Sequence, residues 1–421
     1  MSLAAIVSDP PASMLALLAM LWVAAKIGGE LAVRFKIPTV AGQLLMGVAL
    51  AALAEFFPRF PNVIESYEAN VLAYIGVVVL MFVVGLESSV SQVLKVGLAS
   101  FRVAVMGVIA PTLLGFAGSY LLLPGASSAV HLFIGACLSV TSTSITMQVM
   151  REKGVSKSKS GRIIVGAAII DDILGLLLLA AVSGIAVASA VDAAAPVAGG
   201  ESLWLQLGKA LGMTALFIAF ALVVGQWVSP RIFKLASRFR SEELLLPLAL
   251  AFAFLLAYLG SFVGLAAIVG ACAAGLVLEH SHVVLLQERE THSLEEMLHP
   301  FVMTLAPFFF VLTGARVKIS ALLQPSTLIL IVVLAIAGIA GKYLCSYVAG
   351  RGLNSPIVGW GMVPRGEVGL IFVAVGRDIK INGASFLSSE IQAGMLGAIL
   401  LATIVGPIGL GWAMDRAKSR V

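Results

Sequence analysis

The chain has 421 residues, 60% of them hydrophobic and only 12% charged. A soluble domain is about a quarter charged, so this composition excludes an ordinary water-soluble globule. The surplus of 27 Lys and Arg over 22 Asp and Glu is read as a topology signal of a membrane protein rather than as nucleic-acid binding.

Apolar runs of membrane-helix length, about twenty residues, recur along the whole chain. They predict an all-α membrane protein with thirteen transmembrane helices, at residues 14–34, 38–54, 70–87, 98–123, 129–150, 162–187, 203–227, 243–260, 262–279, 300–315, 326–350, 356–376 and 391–414. Residues 1–13 hold no Lys or Arg, so the charged start of a cleavable signal is missing. In the first span Lys26 and Glu30, one turn apart, predict a local pair. The second span is short, and Gly42 and Gly47 suggest an irregular or tilted helix. The third ends in GLESS, which puts Glu87 near an interface. Cys137, Cys272 and Cys345 each fall inside a span, with the spacing of neither a metal site nor a disulfide framework. They read as small packing residues, and no cofactor is expected.

Basic residues set the orientation. With the N-terminus outside, eighteen Lys and Arg fall at inner segments and six at outer ends; Lys26, Lys342 and Arg365 lie within spans. That predicts N-out, C-in and an odd number of spans. The densest inner patch is REKGVSKSKSGR at 151–162. The inner connection 280–299 holds His280, His282, His292 and His299. Its leucines give it the look of an amphipathic surface helix, and histidine there could sense pH.

Two spans cannot be regular helices. The fifth contains SVTSTSIT (139–146), whose hydroxyls compete for backbone hydrogen bonds. The twelfth contains GWGMVPRGEVG (359–369), with Pro364 and four glycines in eleven residues. Broken backbone at membrane depth is tolerated only where protein buries it or where it lines a cavity. Two breaks in matching positions of two halves point to a secondary-transporter site. Residues 1–187 (spans 1–6) and 243–421 (spans 8–13) form the halves, and 188–242 with span 7 the linker. The offset of seven spans is odd, which predicts two inverted six-helix repeats with crossed broken helices.

Ionisable groups inside spans are expensive and usually paired. The sixth span carries Asp171 and Asp172 in GAAIIDDILGL, the eleventh Lys342, and the twelfth Arg365 and Glu367. Adjacent carboxylates in a poorly solvated site repel and titrate as a coupled unit. A carboxylate that is protonated in one condition and bare in another takes a proton or a small hard cation, and not easily both. Neighbours on a helix point about 100° apart, so one aspartate can face a cavity while the other meets Lys342. Hydroxyls and freed carbonyls of Thr141, Ser142, Thr143 and Ser144 would add the oxygen ligands a hard cation prefers. Nearby charges would partly neutralise the half-helix dipoles at the crossing.

The Asp-Asp pair, TSTSIT, MFVVGLE (81–87), Lys342 and PRGEVGLIF (364–372) together resemble the cation:proton antiporter-2 family, and most of all NapA-type sodium/proton antiporters with the NhaA/NapA-like fold. The resemblance covers essentially the whole chain. It implies that Asp171 bridges to Lys342 and that Asp172 binds Na⁺ or H⁺. It also implies that the broken helices cross beside Asp172, through Thr141–Ser144 and Gly361–Gly366 with Pro364. Spans 4–6 and 11–13 would form a moving core, and spans 1–3 and 8–10 a dimerisation domain, giving an elevator in a homodimer in the inner membrane. Lys342 would carry a second proton, making Na⁺/H⁺ exchange electrogenic. Arg365 and Glu367 match a family motif without an assigned role.

Potassium/proton exchangers of the Kef type are the nearest alternative. They usually carry a soluble nucleotide-binding domain after the last span and tend to lack the first aspartate; here the chain runs only to Val421 and both aspartates are present, so no soluble regulatory domain is expected. A sodium-coupled organic-anion symporter would not need the Asp-Asp pair and lysine. An intramembrane aspartyl protease places its aspartates on separate helices. A gated channel or transport-like sensor would show no coupled proton movement.

Overall fold

A computed structural model of the chain describes residues 10–35, 37–56, 66–87, 97–153, 155, 158–192, 203–236, 244–263, 265–280, 293–350, 354–381 and 384–418. Among them the fold is helical except for a two-residue hairpin. The helices are α1 (Pro10–Arg34), α2 (Thr39–Phe56), α3 (Tyr67–Glu87), α4 (Leu98–Leu122), α5 (Ser128–Cys137), α6 (Thr143–Glu152), α7 (Lys159–Asp192), α8 (Leu203–Ala236), α9 (Leu245–Phe262), α10 (Ala267–His280), α11 (Leu294–Ala315), α12 (Ile319–Leu322), α13 (Pro325–Leu344), α14 (Ser355–Gly361), α15 (Glu367–Asp378) and α16 (Ser389–Lys418). A 3₁₀ turn at Cys345–Val348 tightens the end of α13. The hairpin pairs β1 (Lys380–Ile381) with β2 (Ala384–Ser385), antiparallel.

Nine of the described helices are long and apolar enough to cross a membrane. Three shorter apolar helices run over Thr39–Glu55, Ser128–Cys137 and Ala267–Leu278. The chain is a multi-pass membrane protein. The expected fifth and twelfth spans are each two short helices around an extended link, α5–α6 and α14–α15.

The helices pack in two groups. In one, α4 packs against α5, α7 and α13, and α16 covers α13 and α14. In the other, α3 packs against α10 and α11, α2 against α1 and α11, and α9 against α10. The long α8 touches both groups, through α7 and α10.

Of the two expected alternatives, irregular or tilted, the irregular one does not hold: α2 is a continuous helix through Gly42 and Gly47. They let helices touch backbone to backbone. A Cβ on Gly47 would collide with the Val311 carbonyl of α11, and one on Gly314 with the Leu44 carbonyl of α2. The α3–α10 crossing repeats the device. A Cβ on Gly275 would strike the Phe82 carbonyl, and one on Gly85 the Cys272 carbonyl. Without a hydrophobic force between helices in lipid, close approach of small residues supplies the packing.

Two further local readings are corrected. Glu30 pairs with Arg34 at 3.1 Å rather than with Lys26. The tenth span begins six residues before the expected 300, because Ser293 and Glu296 close a capping box at the start of α11. Leu294 and Leu298, assigned from sequence to a surface helix, are buried there, and His299 is exposed. The side chain of His280, and His282 and His292, lie outside the described residues. In the basic loop, Lys153 reaches Asp415 of α16 at 2.8 Å.

Candidate functional site

The first break follows from its hydroxyls. Helix α5 starts on the Ser127 cap and stops at Cys137, and Ser139 turns its hydroxyl back onto the Ala136 carbonyl at 2.7 Å. The chain then runs extended to Thr143, where α6 begins. In the second break, Pro364 supplies no N–H and disfavours helical geometry at Val363, so α14 stops at Gly361 and α15 starts at Glu367. Gly366 lies against Ser142, and a Cβ there would sit 2.5 Å from the Ser142 hydroxyl.

The two links satisfy each other's backbone, as unpaired polar groups at membrane depth must be. The Ser142 N–H donates to the Pro364 carbonyl at 2.8 Å. The Thr141 hydroxyl donates to the Met362 carbonyl at 3.0 Å and that of Thr146 to the Gly361 carbonyl at 2.8 Å. Arg365, 1% exposed, donates to the carbonyl of Val140 and to that of Gly338 in α13, the latter at 3.2 Å. Thr403 of α16 donates to the Arg365 carbonyl at 2.9 Å.

Charges at the crossing oppose the dipoles. Helices α5 and α14 bring carbonyl ends to it, and Arg365 places its guanidinium on the Val140 carbonyl just beyond α5. Helices α6 and α15 start there, and Glu367 occupies the first turn of α15. A cation at carbonyl ends and a carboxylate at an N-terminus both complement the helix dipole.

Helix α7 carries Asp171 and Asp172 past this crossing. Asp171 is fully enclosed. Its Oδ1 lies 2.7 Å from Lys342 Nζ, which is equally enclosed, and its Oδ2 accepts the Thr141 N–H at 3.1 Å. Gly107 of α4 packs against the pair, and a Cβ there would be 3.4 Å from Lys342 Nζ, in ordinary contact. Asp172, a third of a turn away, is half-buried and accepts the Thr143 hydroxyl at 3.0 Å. It lies within electrostatic reach of Glu367 and of Cys272 on α10, across the boundary between the helix groups. Glu367 in turn is within reach of Glu87, and Glu87 of Glu295 and His299. All three cysteines are free and buried.

The structure therefore brings Asp171, Asp172, Thr141, Thr143 and Lys342 into one cluster. It uses Gly361, Ser142, Pro364, Arg365 and Gly366 to lash the two links together beside that cluster. The side chain of Ser144 lies outside the described residues. The sequence reading missed Thr146, Thr403, Gly338 and Gly107. Thr146 closes the SVTSTSIT stretch and was within reach of the hydroxyl argument. The other three are a lone threonine and two glycines in apolar runs, with no local signal.

A carboxylate with partial access, an adjacent hydroxyl and a crossing of unwound backbone have the chemistry to take one small hard cation or one proton. The family described as sodium/hydrogen exchanger, transmembrane, matches residues 15–416. The chain belongs to that family. It is 31% identical over 444 aligned residues to the high-affinity Na⁺/H⁺ antiporter NhaS3 of Synechocystis, covering 97% of this chain and 91% of that one. It is 28% identical to a Na⁺/H⁺ antiporter of Enterococcus hirae, over 93% of this chain and 96% of that one. The Na⁺/H⁺-K⁺ antiporter GerN of Bacillus cereus is also 28% identical, over 93% of each chain. The fold is shared with the sodium proton antiporter MjNhaP1 of Methanocaldococcus jannaschii, with a TM-score of 0.68 at 19% identity over 95% of this chain and 97% of that one.

Proposed function

We propose that this family member is a secondary transporter that exchanges Na⁺ or Li⁺ for H⁺, with Asp172 as the shared site. The observation that carries the reading is the division between the two aspartates: Asp171 is sealed against Lys342, and Asp172 keeps partial access with the Thr143 hydroxyl beside it. A proton on Asp172 removes the charge a cation needs. An arriving cation displaces that proton and takes the carboxylate, the Thr143 hydroxyl and freed backbone oxygens as ligands. Each ion excludes the other, and that exclusion is exchange.

The finer reading keeps thirteen crossings, N-out and C-in, in two inverted repeats. Helices α2 and α10 support it, because each carries a pair of glycines five residues apart, Gly42 with Gly47 and Gly270 with Gly275. In each helix the first glycine makes a close crossing, to α1 or α9, and the second makes another, to α11 or α3. Alternating access is an elevator, in which the group holding the crossing moves against α1–α3 and α9–α11. That second group joins two copies into a homodimer in the inner membrane. The Asp-Asp pair with Lys342 favours the NapA-type subgroup, and release of a second proton from Lys342 makes exchange electrogenic. K⁺/H⁺ exchange is the second reading, favoured by the name of the Bacillus cereus relative.

Flux in proteoliposomes with Na⁺, Li⁺ and K⁺ over a pH series tests the proposal. Proton movement driven by Na⁺ and Li⁺ but not K⁺ is expected. K⁺-driven movement of equal size would move the assignment to the second reading, and no cation-driven proton movement would refute exchange.

A further inference from the structure

The region where α3, α7, α10 and α15 meet, beyond the C-terminal half of α7, contains a cavity of about 380 Å³ that the ion site does not use. Its polar groups come from both helix groups. Ser183 of α7 lines it; the residue is 3% exposed and its buried hydroxyl has no hydrogen-bond partner. A buried hydroxyl left unpaired is costly. The first residues of α10, Ala267 and Ile268, line the same cavity, and N–H groups at a helix start have no partner within the helix. They form an anion-binding end. Lys380 adds a positive charge at the rim.

Opposite in sign stands Asp378, at the last turn of α15. Arg377 reaches it with two donors, at 3.0 and 2.6 Å, and both fall on the same oxygen, Oδ1. Asp378 Oδ2 takes neither of these bonds, and Asp378 lines the cavity with Tyr74 in electrostatic reach. The cavity is thus dipolar, with an anion-binding end and an exposed carboxylate.

A second cavity, of about 270 Å³, adjoins it and shares Tyr74 and Ala267. It is lined chiefly by apolar surface of α3 and α9, including Val78, Phe254 and Tyr258. Phe254 and Tyr258 are 40% and 66% exposed on a membrane-spanning helix, so this cavity borders the lipid-facing side.

We propose that the two cavities together hold one phospholipid with a zwitterionic ammonium–phosphodiester headgroup. The phosphodiester takes the Ser183 hydroxyl, the α10 N-terminus and Lys380. The ammonium takes Asp378 Oδ2, and an acyl chain lies along Val78, Phe254 and Tyr258. An anionic lipid without an amine leaves Asp378 with Arg377 as its cationic partner and places a second negative charge near it. A molecule bound here touches both helix groups at once.

The test is native mass spectrometry of the full-length protein released from mild detergent, supplied with dioleoylphosphatidylethanolamine, dioleoylphosphatidylglycerol or free phosphoethanolamine. The wild type should retain the ethanolamine lipid about tenfold better than the glycerol lipid, the discrimination expected of one charge-assisted contact. Asp378→Asn should abolish that preference, by weakening retention of the ethanolamine lipid and relieving the repulsion of the glycerol lipid. Ser183→Ala should weaken retention of both lipids. Thermal unfolding without added lipid confirms that the variants fold, and Asp378 is exposed enough for its substitution to be benign. Equal retention of the two lipids by the wild type would overturn the proposal. So would an unchanged preference in Asp378→Asn, or binding of free phosphoethanolamine as tight as that of the lipid.

Discussion

Lys342 Nζ lies 2.7 Å from Asp171 Oδ1, and neither side chain has any exposed surface. Breaking a buried pair by removing one partner strands the other charge, at a cost of about 3–5 kcal/mol. Lys342→Ala should therefore lower the thermal unfolding midpoint in detergent and abolish the voltage dependence of transport. Pairing it with Asp171→Asn should recover part of the lost stability, because the double variant leaves no lone charge. An unchanged midpoint in Lys342→Ala would show that the pair is not a stability element.

The Thr143 hydroxyl donates to Asp172 at 3.0 Å, which makes it a ligand in the proposed cation site. Thr143→Val keeps the shape and removes the oxygen. The apparent KM for Na⁺ should rise by about tenfold, the loss of roughly one ligand-strength contact, while the unfolding midpoint stays within a degree or two. Flux titrated against Na⁺ decides; an unchanged KM would take Thr143 out of the site.

Arg365 joins three elements by donating to the Val140 and Gly338 carbonyls and presenting its own carbonyl to Thr403. Arg365→Met leaves the buried Val140 carbonyl without its donor, worth about 1–3 kcal/mol, and removes the second donor to the Gly338 carbonyl inside α13. The variant should show reduced folded yield by size-exclusion chromatography and lower flux at every Na⁺ concentration. Arg365→Lys should fall between it and wild type, since a single ammonium cannot reproduce the guanidinium fork.

Gly47 and Gly275 face carbonyls across two separate crossings. Gly47→Val and Gly275→Val should each destabilise by about 1–3 kcal/mol or more through overpacking. Gly184, with open space around its Cβ position, should accept alanine with little change. Unfolding midpoints of the three variants measure this; equal midpoints would contradict the close crossings.

The all-helical, membrane-crossing class and both breaks were legible, because apolar run length and local breakers are local properties of sequence. So was the pairing of one aspartate with a lysine 171 residues away, since two opposite charges in apolar surroundings have few other solutions. The roles of Arg365 and Glu367 were not legible. They depend on which carbonyls and helix ends the other broken span brings to them, a fact of tertiary arrangement alone. The glycines of α2 misled in a related way. A glycine in a helix reads as a weak point until a neighbouring backbone is seen resting on it. The early start of α11 was readable, for Ser293 and Glu296 spell a capping box, but the histidine-rich stretch before it drew the boundary too late.

The central claim is that Asp172 is the site where cation and proton compete. Na⁺-driven proton movement by Asp172→Asn in proteoliposomes tests it most directly, with circular dichroism and the unfolding midpoint as checks that the variant is folded. The expected result is a folded protein with no Na⁺-driven proton movement at any pH. Retained exchange in that variant would contradict it.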